Sequence, residues 1–279
     1  MTPWWPSVDE SIRHLRAKPG DQFIDFNSTP RYGCPVPPPL VLLPPSEGKA
    51  DGGRRGTSSD RFGRELHEPR NAVLEALRKC AATASVSEKS KVLRVRGELL
   101  ERAIAATQLL IEGEAPLLPA WKRYSGVVWN ALDPSTLAPA ARARILVPSA
   151  LYGITTAQDH IADYRLGMQS RLPGVGNLAR FWRQPLTDLI STVTRRTTVI
   201  DLLTAEHRAA CDWHRLGPVV RVDFVQPQGR GAAGHFAKDV KGRFARHVID
   251  LGINEALSFT HDGWKVERIE DGYLVRAPR

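Results

Sequence analysis

Cysteine is scarce in this chain: Cys34, Cys80 and Cys211 are the only three among 279 residues. The count is odd and no two are spaced as CxxC, which argues against a disulfide framework and against a structural zinc site. The histidines are scattered, with no HxxxH pair and no His/Cys cluster, so no metal is expected. His207, just after the strand ending at Leu202, reads as a cleft-lining residue or, preferably, as a structural histidine. No apolar run approaches the ~18 residues that a membrane helix needs. Met1 to Glu10 lacks the basic-then-apolar order of a signal peptide. The expectation is a cytoplasmic protein with no membrane partner. No cofactor fingerprint is present either. Gly48-Lys49 follows an apolar run, but a phosphate loop needs glycine five positions earlier, and Leu43 stands there.

Charge, by contrast, is unbalanced. The formal net charge is +9 and the sequence pI is about 9.8, against an ordinary 42% hydrophobic and 25% charged content. Such a surplus draws polyanions, nucleic acid first among them.

Residues 1–39 read as an extension, with Trp4 and Trp5 near its start, a short helix over Glu10–Ala17, and Pro35–Pro39 at its end. Proline runs favour extended backbone. From residue 40 to 279 strands and helices mix, which predicts a single mixed α/β domain. Strands are expected at Leu40–Leu43, Arg144–Val147, Thr197–Leu202 and Val219–Val225. Helices are expected at Glu65–Ala81, 98–111, Leu137–Ala143, Gly176–Val193 and Val240–Leu251. Residues 51–64 and Gly229–Gly234 read as loops, and Gly126–Asn130 as a turn or short strand. A closing hairpin turns at Asp271-Gly272.

Two loops follow buried strands, where α/β proteins usually place their sites. The first carries Ser46, Glu47 and Lys49; the second carries Ser149 and Tyr152. Asp159, Tyr164 and Arg165 lie just downstream, and Lys238 opens the last long helix. Carboxylate, phenol, guanidinium and ammonium groups together suit anion binding or acid–base work. Glu47, Lys49, Tyr152 and Lys238 are the catalytic candidates. Ser46, Ser149, Asp159, Tyr164 and Arg165 are the ligand-binding ones, for a small anionic ligand. Asp159 and Arg165 read equally well as a structural ion pair.

These segments resemble a known family. Leu42–Lys49, Tyr124–Leu132, Ser149–Gly153 with Asp159 and Tyr164-Arg165-Leu166, and Phe236-Ala237-Lys238 with Lys241-Gly242 and Arg246 are similar, in order, to the motifs of the YaaA peroxide-stress family. The resemblance implies a bacterial cytoplasmic protein tied to oxidative stress and DNA binding. It also implies an α/β fold with a basic cleft and a helix-hairpin-helix element. It carries over no catalytic activity. Phe236 stands where the family has a phenol, and the first 39 residues have no counterpart.

A further constellation is Leu172-Pro173-Gly174-Val175-Gly176. It reads as a helix-hairpin-helix turn, whose glycine amides would hold a DNA phosphate, or as an ordinary loop before a helix. Arg171, Arg180 and Arg183 flank it, and the last long helix adds Lys241, Arg243 and Arg246 as phosphate contacts. The expected function is therefore non-sequence-specific binding of double-stranded DNA in oxidative stress. The alternative is an enzyme acting on a nucleobase, a nucleotide or another small anion.

Overall fold

A computed structural model describes residues 37–56, 60–195, 197–226 and 233–278. The helix expected at Glu10–Ala17, the proline run up to Val36 and most of the loop 229–234 lie outside the described residues.

The chain enters through β1 (Leu40–Leu42), whose three residues are all buried. Helix α1 (His67–Thr83) buries Val73, Ala76, Leu77 and Cys80, one stripe at helical spacing. Next, α2 (Val86–Leu93) starts at a capping box in which Ser85 and Glu88 satisfy each other's backbone amides. Then α3 (Glu98–Glu112) ends on Gly113 in the left-handed region. Short pieces follow: β2 (Leu118–Pro119), α4 (Ala120–Arg123), α5 (Val127–Leu132) and α6 (Pro139–Arg142). β3 (Ile145–Ser149) is wholly buried and turns into β4 (Gly153–Thr156). β5 (His160–Ile161) pairs with β2.

A two-stranded hairpin, β6 (Arg171–Leu172) and β7 (Gly176–Asn177), leads into α7 (Leu178–Val193). The Asn177 side chain caps α7 by accepting from the Arg180 amide at 3.0 Å. The second half comprises β8 (Val199–Asp201), α8 (Ala205–Arg208), β9 (Val219–Val225), α9 (Ala233–Leu251), β10 (Thr260–His261), β11 (Trp264–Ile269) and β12 (Gly272–Arg276).

One eight-stranded mixed sheet organises these elements, in the order β10-β11-β12-β9-β8-β1-β3-β4. β3, β1, β8, β9 and β12 run parallel, while β4, β10 and β11 are antiparallel to their neighbours. The central strands are therefore covered on both faces and read as apolar runs. Leu42, Leu43, Ile145 and Leu146 are at most 1% exposed. Each such side chain contributes about 1.5–3 kcal/mol on burial.

Three expectations need correction. Gly126–Asn130 is a turn into helix α5 rather than a strand. The β-branched pair Val127-Val128 is overridden by packing against α9, where a side chain at Gly242 would strike the Val128 carbonyl at 2.3 Å. The last long helix begins at Ala233, seven residues before Val240. And the hairpin at Leu172–Gly176 has a helix only after it: the element before it is β5, so a helix does not flank it on both sides. No helix among the described residues is long and apolar enough to cross a membrane.

Candidate functional site

The strand order makes a crevice. From β1 the chain moves on to β3 on one side; from β8 it moves on to β9 on the other. Between the carboxyl ends of β1 and β8, two adjacent strands thus send their loops apart, which is where open α/β sheets bind ligands. Both loops, Pro44–Lys49 after β1 and Thr204–His207 after β8, line a cleft of about 470 Å³ there.

Ser46, Glu47, Lys49, Tyr164, Arg165 and Lys238, drawn from three distant segments, all line this one cleft. The β1 loop is held from two sides. The Trp129 indole donates to the Pro44 carbonyl at 3.1 Å, and Ser125 N donates to the Gly48 carbonyl at 3.2 Å. Gly126 makes room for Ser46, because a Cβ there would lie 2.2 Å from the Ser46 hydroxyl.

Lys49 is 9% exposed. Its Nζ donates to the Ser46 carbonyl at 2.9 Å and lies 4.1 Å from the centre of the Tyr164 ring. Among the described residues it forms no ion pair with a carboxylate. Burial, and next the nearby Arg165 charge, lower its pKa to about 7, although Asp163 and Glu47 pull the other way.

Three candidates expected in the cleft stand behind its wall. Ser149 is fully buried; its hydroxyl donates to the Tyr164 hydroxyl at 2.9 Å and accepts from the amides of Leu151 and Tyr152. The Tyr164 hydroxyl also shares a 3.0 Å hydrogen bond with Tyr124. Tyr152 packs edge-on against Tyr164, and its hydroxyl accepts from Ala162 N at 3.0 Å. Asp159 accepts from Thr156 N at 2.8 Å and Arg61 N at 3.3 Å, so it caps a turn rather than pairing with Arg165. Ser149, Tyr124 and Tyr152 hold the Tyr164 ring under Lys49, while Asp159 fixes the neighbouring turn. That makes them a scaffold for the cleft, with no face on it.

Lys241, expected on an exposed DNA-facing surface, instead turns into the cleft. Its Nζ donates to the Leu202 carbonyl at 2.7 Å, and its pKa is lowered to about 8, by burial first and by Arg208 next. Beneath it lies a network that the residue pattern did not suggest. Arg208 binds buried Asp201 at 2.6 Å and Asp223 at 2.9 Å, and Asp201 also accepts from Leu203 N. The readable signal was Asp201, a carboxylate inside the otherwise apolar run Val199–Leu203. His207 also lines the cleft, and burial is the main reason its pKa falls to about 4. Arg94 and Glu206, a 3.2 Å ion pair on the rim, were likewise missed.

The remaining DNA-contact candidates divide. Arg171 and Arg180 are exposed and line a separate hollow of about 320 Å³ with Gly176 and Asn177. Gly174 and Gly176 have φ of 78° and 81°, as the tight turn requires. Arg183 donates twice to the Ala209 carbonyl. Arg243 and Arg246 are tied one helical turn away, to Asp239 and Asp250.

Fold and cleft together define a mixed α/β protein with a polar cleft at its strand ends. The family can be stated as well: residues 40–269 match the family of the peroxide stress protein YaaA, and the chain belongs to it. A UPF0246 protein of Streptomyces coelicolor is 36% identical over 227 residues, covering 76% of this chain and 84% of that protein. One from Corynebacterium efficiens is 36% identical over 230 residues, covering 78% and 87%. One from Porphyromonas gingivalis is 29% identical over 183 residues, covering 61% and 72%.

Peroxide chemistry is not built into the two described cysteines. Cys80 and Cys211 are buried, and burial raises both thiols, Cys211 to about 12. The reactive species is the thiolate, so these two are poor nucleophiles.

Proposed function

We propose that this protein binds double-stranded DNA without sequence preference and belongs to the oxidative-stress, DNA-protection type. The observation that carries this reading is the hairpin face. Arg171 and Arg180 are exposed, make no ion pair among the described residues, and flank a glycine turn at the start of the sixteen-residue helix α7. Two solvent-facing guanidinium groups beside one turn suit the phosphates of a DNA backbone. The charge agrees: the first 36 residues carry four basic and four acidic side chains, so the whole +9 surplus belongs to the rest of the chain. Titration of unrelated labelled duplexes at two salt concentrations tests it. Three phosphate contacts would weaken binding roughly fortyfold between 50 and 200 mM salt. No binding at the lower salt overturns the reading.

A second reading has its own observation. Lys49 is buried without a carboxylate partner in a basic cleft, where Arg94, Arg165, Lys238 and Lys241 join it against Glu47 and Glu206. Such a cleft suits an enzyme acting on a nucleobase, a nucleotide or another small anion, with Arg165 and Lys238 holding the anion and Glu47 or Lys49 moving a proton. Nucleotides and sugar phosphates should then raise the melting temperature, and Glu47→Gln and Lys238→Ala should remove that rise. Loss of duplex binding in the same variants would make the cleft itself the DNA groove.

A further inference from the structure

The geometry points to Lys49 as an imine-forming nucleophile for an aldehyde that carries a phosphate: a sugar phosphate, either free or exposed at an abasic site in DNA. The inference rests on the enzymatic reading of the cleft.

A lysine this buried is ordinarily matched by a carboxylate, because an uncompensated buried charge is costly. Lys49 has instead a carbonyl oxygen at 2.9 Å and an aromatic face at 4.1 Å. Those partners orient the amine without neutralising it. Behind the ring, the linked hydroxyls of Ser149, Tyr164 and Tyr124 keep that face in place. With its pKa at about 7, Lys49 is a free amine for roughly half of the molecules at neutral pH, and only the free amine is nucleophilic.

The surroundings select the electrophile. Arg165 and Lys238 line the same cleft as Lys49 and supply a fork and a point charge for a phosphate. The volume, about 470 Å³, lies within the range of small-molecule sites and admits one sugar phosphate but no base-paired duplex. A DNA-borne aldehyde would therefore enter as an extrahelical sugar. In the reaction the amine lone pair bonds to the carbonyl carbon and a proton passes from nitrogen to oxygen. The carbinolamine then loses its oxygen with both former amine protons as one water. The product is the Lys49 imine, and neither oxidant nor reductant is consumed.

The test is reductive trapping. The full chain is incubated with ribose 5-phosphate, or with a duplex containing one abasic site, together with sodium cyanoborohydride, which converts an imine into a stable secondary amine. Peptide mass mapping then locates the adduct. One adduct at Lys49 is expected, absent from Lys49→Arg, with a trapping rate that levels off above about pH 7. Inorganic phosphate should slow labelling by ribose 5-phosphate. Labelling by the free sugar phosphate alone, or by the abasic duplex alone, identifies the source. Should Lys49→Arg not fold, mapping of the unaltered chain decides. No adduct at Lys49 with either probe, or adducts spread evenly over exposed lysines, overturns the inference. If ribose 5-phosphate raises the melting temperature yet forms no adduct, the cleft reading stands and the imine fails. If neither occurs, both fail.

Discussion

Cations at the cleft and cations at the hairpin live under different physics. Lys49 and Lys241 are held by backbone carbonyls, and burial drives both below the ordinary lysine range. Arg171 and Arg180 face solvent beside a glycine turn. A charge kept in a desolvated place costs stability, and such places are where acid–base and nucleophilic groups are made. A charge kept in water costs little and meets phosphates at long range. Net charge alone would have counted the four alike.

The comparison breaks most visibly where the cleft rests on its ion network. Asp201→Ala leaves Arg208 and Lys241 without their buried carboxylate. Removing one partner of such a network should cost about 3–5 kcal/mol, read from chemical denaturation. No hairpin arginine should approach this. Lys49→Met tests the other direction. An apolar residue of similar volume in place of a buried charge should be neutral or stabilising by about 1–4 kcal/mol at pH 7. It should also flatten the pH profile. Between about pH 7 and the ordinary lysine range the native chain holds fewer protons than the unfolded chain, so stability rises with pH there, and Met removes the Lys49 share of that rise. At the hairpin, Arg171→Ser with Arg180→Ser should leave the melting temperature in place. It should weaken duplex binding roughly tenfold and make the slope of log affinity against log salt shallower by about 2. An unchanged slope would detach the hairpin from DNA.

Much of the fold was legible because it is local. The apolar run at Leu40–Leu42, the stripes of α1, α3 and α7, and the closing hairpin follow from periodicity and turn chemistry alone, although its turn falls at Glu270-Asp271, one residue before the expected Asp271-Gly272. The α2 helix was missed: Ser85 and Glu88 form its capping box, but its apolar stripe is thin. Non-local facts were not legible. Nothing near Gly126 announces that α9 will pack on Val127–Leu132 and make them helical. The strand-end rule brought Ser46, Glu47 and Lys49 to the cleft. It could not tell that Ser149 and Tyr152, also at a strand end, would turn inward to hold Tyr164, or that Lys241 would aim at Leu202 rather than at solvent.

The smallest expected effect is at His207, and it separates the two regions by pH alone. Burial lowers this imidazole to about 4, Glu206 opposing and Lys241 assisting. Between about pH 6.5 and 4 the native chain therefore binds fewer protons at this site than the unfolded chain. Stability from His207 is lost as the pH falls through that window. Asp201 acts in the opposite sense, because burial raises its carboxyl pKa despite Arg208. Asp159, raised by burial, and Glu88, lowered by its Ser85 hydrogen bonds, add to the acid limb of the unaltered chain, so only the change on substitution isolates the histidine. His207→Gln keeps a polar side chain near Thr204, whose hydroxyl lies 2.9 Å from the ring nitrogen. It should leave stability at pH 8 within about 1 kcal/mol and reduce the loss between pH 6.5 and 4.5, as followed by thermal melts in one buffer series. The Arg171→Ser and Arg180→Ser chain should keep the original limb. If both chains flatten alike, the acid response is a property of overall charge and not of the cleft.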